Sequence, residues 1–169
     1  TGIIGKADTL RGGSQATGDR LNLGTGYGTW GGNMTMSMWI KPHASDMEQW
    51  NQYISLSNGQ GQDNIWMGRQ GNTNDFSSEL YSGSQSGLHT HAEGVQVQGE
   101  WQLLSWTVTN GTEVALYRNG VVVATRTSGQ PLKDTLRTMN HIGRAAWPDP
   151  TIEAVVDEAR LAKVARSAD

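Results

Sequence analysis

Met34, Met36, Met38 and Ile40 recur at every second position of the stretch 33–41, with Asn33, Thr35, Ser37, Trp39 and Lys41 between them. Successive side chains of an extended strand point to opposite faces, so this alternation describes a strand buried on one side only. Pro42 ends it, because proline cannot donate to a ladder. A second run, Trp101 to Thr109, sets Leu104, Trp106 and Val108 on one face before Asn110-Gly111 turns the chain. Glu113–Arg118 and Val121–Thr127 then flank Asn119-Gly120. Asn-Gly between two β-rich runs predicts a hairpin, since both central residues of a type I′ turn need positive φ. Half-buried strands and a tight hairpin describe a chain built largely of short strands joined by turns.

Further strands are expected at 20–23, 52–56, 64–68, 78–81, 94–98 and 141–144. The stretch 151–162 reads either as a helix, from Glu153, Asp157, Glu158 and Arg160, or as a last strand with Val155, Asp157, Ala159 and Leu161 on one face. Composition agrees with strands and turns: charged residues make up only 17% of the chain, and there are 22 glycines. The 169 residues suit one domain with a core of its own. Residues 1–169 are expected to form a single domain cut from a larger protein. A net charge of −3 supplies no basic face for nucleic acid, and no polybasic stretch addresses anionic lipid. With no cysteine, disulfides, thiolate metal sites and cysteine nucleophiles are excluded.

Several segments, in order, resemble one family. Gly5-Lys6-Ala7 through Leu10-Arg11-Gly12 is similar to its opening stretch, and Met36 to Pro42 to its first long strand. Trp101 to Thr109 with Ala115-Leu116-Tyr117-Arg118-Asn119-Gly120 resembles its central hairpin. Ile142-Gly143-Arg144 and Val156 to Leu161 resemble its closing strands. The family is the laminin-G-like jelly roll of the concanavalin-A-like lectin/glucanase superfamily. The resemblance implies a two-sheet antiparallel jelly-roll sandwich, and it decides 151–162 in favour of the strand. The tail Ala162 to Asp169 resembles the close of laminin-G-like modules in large bacterial envelope proteins. Some of those also carry a proton-channel domain of the ExbB/TolQ/MotA type. The resemblance therefore implies an extracellular or periplasmic setting with covalently linked neighbouring domains.

Glycoside hydrolases of this superfamily carry their carboxylates on one strand at Glu-x-Asp-x-x-Glu or near it, and this chain has no such spacing. The nearest groupings are Asp46/Glu48, Asp75/Glu79 and Glu153/Asp157/Glu158, and a solvated or loop role is expected for Asp75 and Glu79. His89 and His91 have workable metal spacing but lack further ligands, and are read as ordinary polar strand residues. No enzyme activity is expected. The resemblance implies a structural calcium (Ca2+) held by Asp157 and by backbone near Gly12, in the turn Arg11-Gly12-Gly13. The alternative is that Asp157 hydrogen-bonds the N-terminal turn without metal.

Seven tryptophans against one phenylalanine is an unusual allocation. The indole N–H needs a partner when buried, while the flat ring suits the C–H-rich face of a sugar. Trp106 shares a face with Leu104 and Val108 and is expected in the core. Trp30, Trp50, Trp66 and Trp147 lie among glycine, amide and proline residues and are candidates for exposed stacking. Trp39, opposite the methionines, is a further candidate. The expected function is a non-catalytic module binding a polysaccharide or oligosaccharide. The alternative is a protein-interaction or spacer module in an envelope transport or adhesion assembly.

Overall fold

The computed structural model describes residues 2–25, 28–43 and 50–167. Their strands, in chain order, are β1 (Asp8–Leu10), β2 (Leu21–Asn22), β3 (Thr29–Trp30), β4 (Met34–Pro42) and β5 (Gln52–Ser57). There follow β6 (Ile65–Arg69), β7 (Phe76–Ser82), β8 (Gln85–Ser86), β9 (Thr90–Ala92) and β10 (Gln102–Thr109). The last are β11 (Glu113–Arg118), β12 (Val121–Thr127), β13 (Thr135–Leu136), β14 (Met139–Ile142) and β15 (Ala154–Ala162). No described residue is helical.

One sheet has six strands in the order β1-β15-β4-β10-β11-β12. The other has seven: β2-β14-β5-β6-β7-β8, with β9 also on β7. β3 and β13 form a separate pair, and all the pairings are antiparallel. The two sheets pack as a sandwich with the jelly-roll connectivity of a concanavalin-A-like fold.

The alternation in β4 does what the sequence implies. Met34, Met36, Met38 and Ile40 have no exposed surface. Across the ladder they meet Val108, Trp106, Leu104 and Gln102 of β10. Ile54, Leu56, Ile65, Met67, Phe76 and Leu80 from the second sheet complete the core. The hairpin also stands: Asn119 and Gly120 have φ of 52° and 80°, as a type I′ turn demands.

Three expectations change in detail. Residues 94–98 form a turn and an irregular segment. Gln96 is buried there, donating to the Asp75 carbonyl at 2.6 Å and accepting the Tyr53 hydroxyl proton, so its amide replaces a ladder. In β15 a bulge between Asp157 and Arg160, with Glu158 at φ 49°, shifts the register by one side chain. Asp157 consequently sits level with outward Trp39 and Leu161 with inward Met36, so the two do not share a face. The β2 ladder is also shorter than expected, covering Leu21–Asn22 alone.

Arg137 fastens the β3–β13 pair to the sandwich. Only 1% exposed, it donates to the carbonyls of Asp63 (2.6 Å), Trp30 (2.8 Å), Lys133 (3.3 Å) and Thr135 (3.4 Å). Burial pulls its pKa down to about 10, against the charges of Asp63 and Asp134, so it stays cationic at neutral pH.

Candidate functional site

The middle of the second sheet is buried on both faces: every residue of β5 and β6 is buried. Ladder register explains which residues face away from the core. Leu56, Ile65 and Leu80 are level with one another and point inward, so the next row, Ser55, Trp66 and Glu79, points outward. Trp50 stands at the entrance to β5, while Trp147 and Asp149 come from the connection between β14 and β15. With Gln52, Tyr81 and His89 they enclose a cleft of about 300 Å³ over Trp66 and Glu79. That volume is at the small end of the range for ligand sites.

The walls are aromatic and steeply inclined to one another. Trp50 and Trp66 have ring centroids 6.5 Å apart at 89°. His89 lies 5.6 Å from Trp50 and 5.7 Å from Trp66, at 65° and 70°. On the other side Tyr81 and Trp147 are 5.6 Å apart at 52°. Edge-to-face packing of this kind holds rings rigidly without closing their faces.

Trp50 adopts φ 51°. A bulky residue there is a true outlier, costing on the order of 1–2 kcal/mol relative to an ordinary backbone. Trp50→Gly is therefore expected to be about 1 kcal/mol more stable than Trp50→Ala, since both lose the ring but only glycine relieves the backbone. Urea denaturation of the two variants measures the difference. Equal midpoints would mean that the left-handed conformation carries no cost.

The polar groups of the cleft are mostly committed. The Glu79 carboxylate is 6% exposed at residue level; one oxygen lies 3.0 Å from His89 Nε2 and the other accepts the Ser86 hydroxyl proton. Burial, and then the Glu79 charge, raise the Tyr81 phenol above its ordinary pKa, so it stays a hydrogen-bond donor. Burial raises the Asp149 carboxyl as well. Gln52 Oε1, Trp66 Nε1 and His89 Nδ1 are buried with no hydrogen-bond partner among the described residues. A buried polar atom left unpaired costs about 1–3 kcal/mol, and these three belong to residues that line the cleft.

The structure thus brings together Trp50, Trp66 and Trp147, which are far apart in sequence. Trp30 is elsewhere. Its residue is 7% exposed, it joins the core through the β3–β13 pair, and Lys163 Nζ lies 5.3 Å from its ring centroid. Gly28, Thr29, Gly32 and Asn33 around it are exposed, but Trp30 itself turns inward from the ladder with β13. Trp39 is half-buried on the outer face of the six-stranded sheet, between Leu103 and Asp157, and does not line the cleft.

Glu79 corrects the sequence reading, being buried in mid-strand where a solvated role was expected, whereas Asp75 does cap a turn at Gly94 N (2.8 Å). His89 lies outside β9 and takes part in the cleft, so it is not the ordinary strand residue its spacing suggested. Asp46 and Glu48 lie outside the described residues. Gln52, Tyr81 and Asp149 carry no signal of their own in the sequence; the pairing of β5, β6 and β7 brings in the first two and the β14–β15 connection the third.

Asp157 and Gly12 do not form one ligand set. Asp157 Oδ2 accepts the backbone N–H of Ile3 (2.8 Å) and Ile4 (3.1 Å), and Oδ1 that of Glu158 (2.9 Å). Asp8 is level with Val156, which places Asp157 level with residue 7. Gly12 is thus about 16 Å further along the ladder, at about 3.3 Å per residue, and packs beside Glu153. N–H groups directed at a carboxylate have the wrong polarity for a cation shell. Among the described residues no group of three or more His, Cys, Asp or Glu could hold a metal ion. Asp157 thus hydrogen-bonds the N-terminal turn, and it lies too far from Gly12 for the two to share one ion.

Solved structures share this architecture. Domain 4 of AbnA, a GH43 extracellular arabinanase from Geobacillus stearothermophilus solved with arabinotriose, has a TM-score of 0.71 at 20% identity, covering 99% of this chain and 75% of that one. The sialidase CBM40 of Ruminococcus gnavus, bound to α2,3-sialyllactose, has a TM-score of 0.76 at 10% identity, covering 98% and 94%. A heptameric SAP-like pentraxin from Limulus polyphemus gives 0.68 at 14% identity, covering 95% and 76%. At these identities the likeness is one of fold. No curated protein matches the sequence. The sequence itself matches the Laminin_G_3 family over residues 14–169, and the chain accordingly belongs to the concanavalin A-like lectin/glucanases superfamily.

Proposed function

We propose that this domain is a non-catalytic carbohydrate-binding module whose site is the cleft formed by Trp50, Trp66 and Trp147. The observation that carries this reading is the combination in one place of inclined aromatic walls with unpaired polar atoms, Gln52 Oε1, Trp66 Nε1 and His89 Nδ1. A sugar ring offers both complements: C–H faces for the indoles and hydroxyls for the amide and ring nitrogens. The arabinotriose and sialyllactose complexes of two structural neighbours support the same class of ligand. Since Trp50 and Trp66 meet at 89°, no single flat face of a polymer can lie on both rings. The geometry favours one or two sugar units seated in a corner over a long flat platform.

Binding without cleavage is favoured by Glu79, whose two oxygens are already engaged by Ser86 and His89, leaving it poorly disposed to protonate or attack a glycosidic bond. The setting we propose is extracellular or periplasmic, with neighbouring domains on the same parent chain.

Intrinsic tryptophan fluorescence, titrated with a panel of neutral and acidic oligo- and polysaccharides, tests the reading. Saturable quenching or a blue shift with one glycan class is expected, with no new reducing ends released. No response from folded protein across the panel would remove the saccharide reading in favour of an interaction or spacer module. Released reducing ends would replace binding by hydrolysis.

A further inference from the structure

We infer that the cleft selects neutral saccharides and excludes those bearing carboxylate or sulfate groups, an inference that rests on the saccharide-binding reading. Its ionisable lining is one-sided. Glu79 and Asp149 face the cleft, and no lysine or arginine among the described residues lines it. The one basic side chain there, His89, is held 3.0 Å from Glu79. Neutral or protonated, it gives that pair no net positive charge. Arg144, close in sequence to Trp147, is turned aside to the Gln15 amide oxygen at 3.2 Å. Gln15 in turn donates to the carbonyls of Ala145 and Trp147, which pins this segment of the chain in place.

Desolvation between indole rings sharpens the effect. A carboxylate entering such a site gives up its hydration and meets acceptors and negative charge in place of cationic donors. A neutral sugar loses far less solvation and can satisfy both donors and acceptors through its hydroxyls. The selectivity therefore works by repulsion of the wrong ligand as much as by attraction of the right one.

Matched pairs of probes test this: lactose against 3′-sialyllactose, galactotriose against trigalacturonate, and xylotriose against its glucuronyl-substituted form. They are titrated into the intact domain at low salt with fluorescence readout. A neutral member is expected to bind at least about tenfold more tightly than its acidic partner, a gap that like charges in a poorly solvated site produce. Asp149→Asn, and separately Glu79→Gln, should narrow that gap, read as the ratio of neutral to acidic affinity within each variant. Circular dichroism confirms that both variants are folded. An acidic member binding as tightly as its neutral partner overturns the charge selection and leaves saccharide binding intact. A gap unmoved by both variants also overturns it, because the discrimination would then be steric. Silence from every probe removes the saccharide reading, and the selectivity falls with it.

Discussion

Trp50→Ala is expected to weaken saccharide binding by about 30-fold, corresponding to about 2 kcal/mol for loss of a central aromatic anchor. Trp50 is the most exposed of the cleft tryptophans, at 36%, so the substitution removes a wall without hollowing the core. Trp66 makes a poorer test, because its residue is 2% exposed and truncation there would unsettle the sheet as well. Trp147→Ala should act in the same direction as Trp50→Ala, since its ring closes the opposite side beside Tyr81. Trp39→Ala, on the other sheet, serves as the control and should leave affinity unchanged. Titration calorimetry with the glycan found in the panel decides the matter. An affinity unaffected by Trp50→Ala would move the binding site away from this cleft.

Arg137→Met should cost about 3–5 kcal/mol of stability, because several carbonyls lose a charged donor at about 1–3 kcal/mol each. The guanidinium serves the carbonyls of Asp63, Trp30, Lys133 and Thr135 at once, and methionine would remove that donor from all four, the bonds to Asp63 and Trp30 being fully buried. At about 1–3 kcal/mol per molar urea, the unfolding midpoint should fall by on the order of 2 M. Arg137→Lys should recover only part of the loss, because an ammonium cannot reproduce the planar fork. A fall of less than about 1 kcal/mol for Arg137→Met would show that the carbonyls find other partners. Glycan affinity should persist in whatever fraction remains folded, which separates this effect from that of Trp50.

What could be read from the sequence follows from the range of each interaction. The strand of alternating methionines, the Trp106 face and the Asn119-Gly120 hairpin depend on neighbours within a few residues, and all three stand in the structure. The bulge in β15 also has a local cause, but Glu158 carries no glycine-like signature, so the change of face at Asp157 was hidden. Trp30 was misplaced because glycines on both sides resemble a loop, although they serve a two-residue ladder with β13. The cleft was legible only as a list of tryptophans. That Trp66 stands beside Glu79, with Trp147 and His89 above them, depends on pairings and connections up to roughly a hundred residues long, which a residue pattern cannot encode. Glu79 shows this best. Its sequence surroundings are polar and turn-rich, yet the sheet buries it.

The left-handed backbone at Trp50 has a consequence for the history of such domains. On the proposed function, position 50 is one where folding alone prefers glycine and saccharide capture prefers tryptophan, so the two demands pull lineages in opposite directions. A descendant released from its glycan should drift towards glycine there early, gaining stability as it does so. Among relatives of this chain, the residue at that one site would then serve as a record of which have kept their ligand and which have been repurposed.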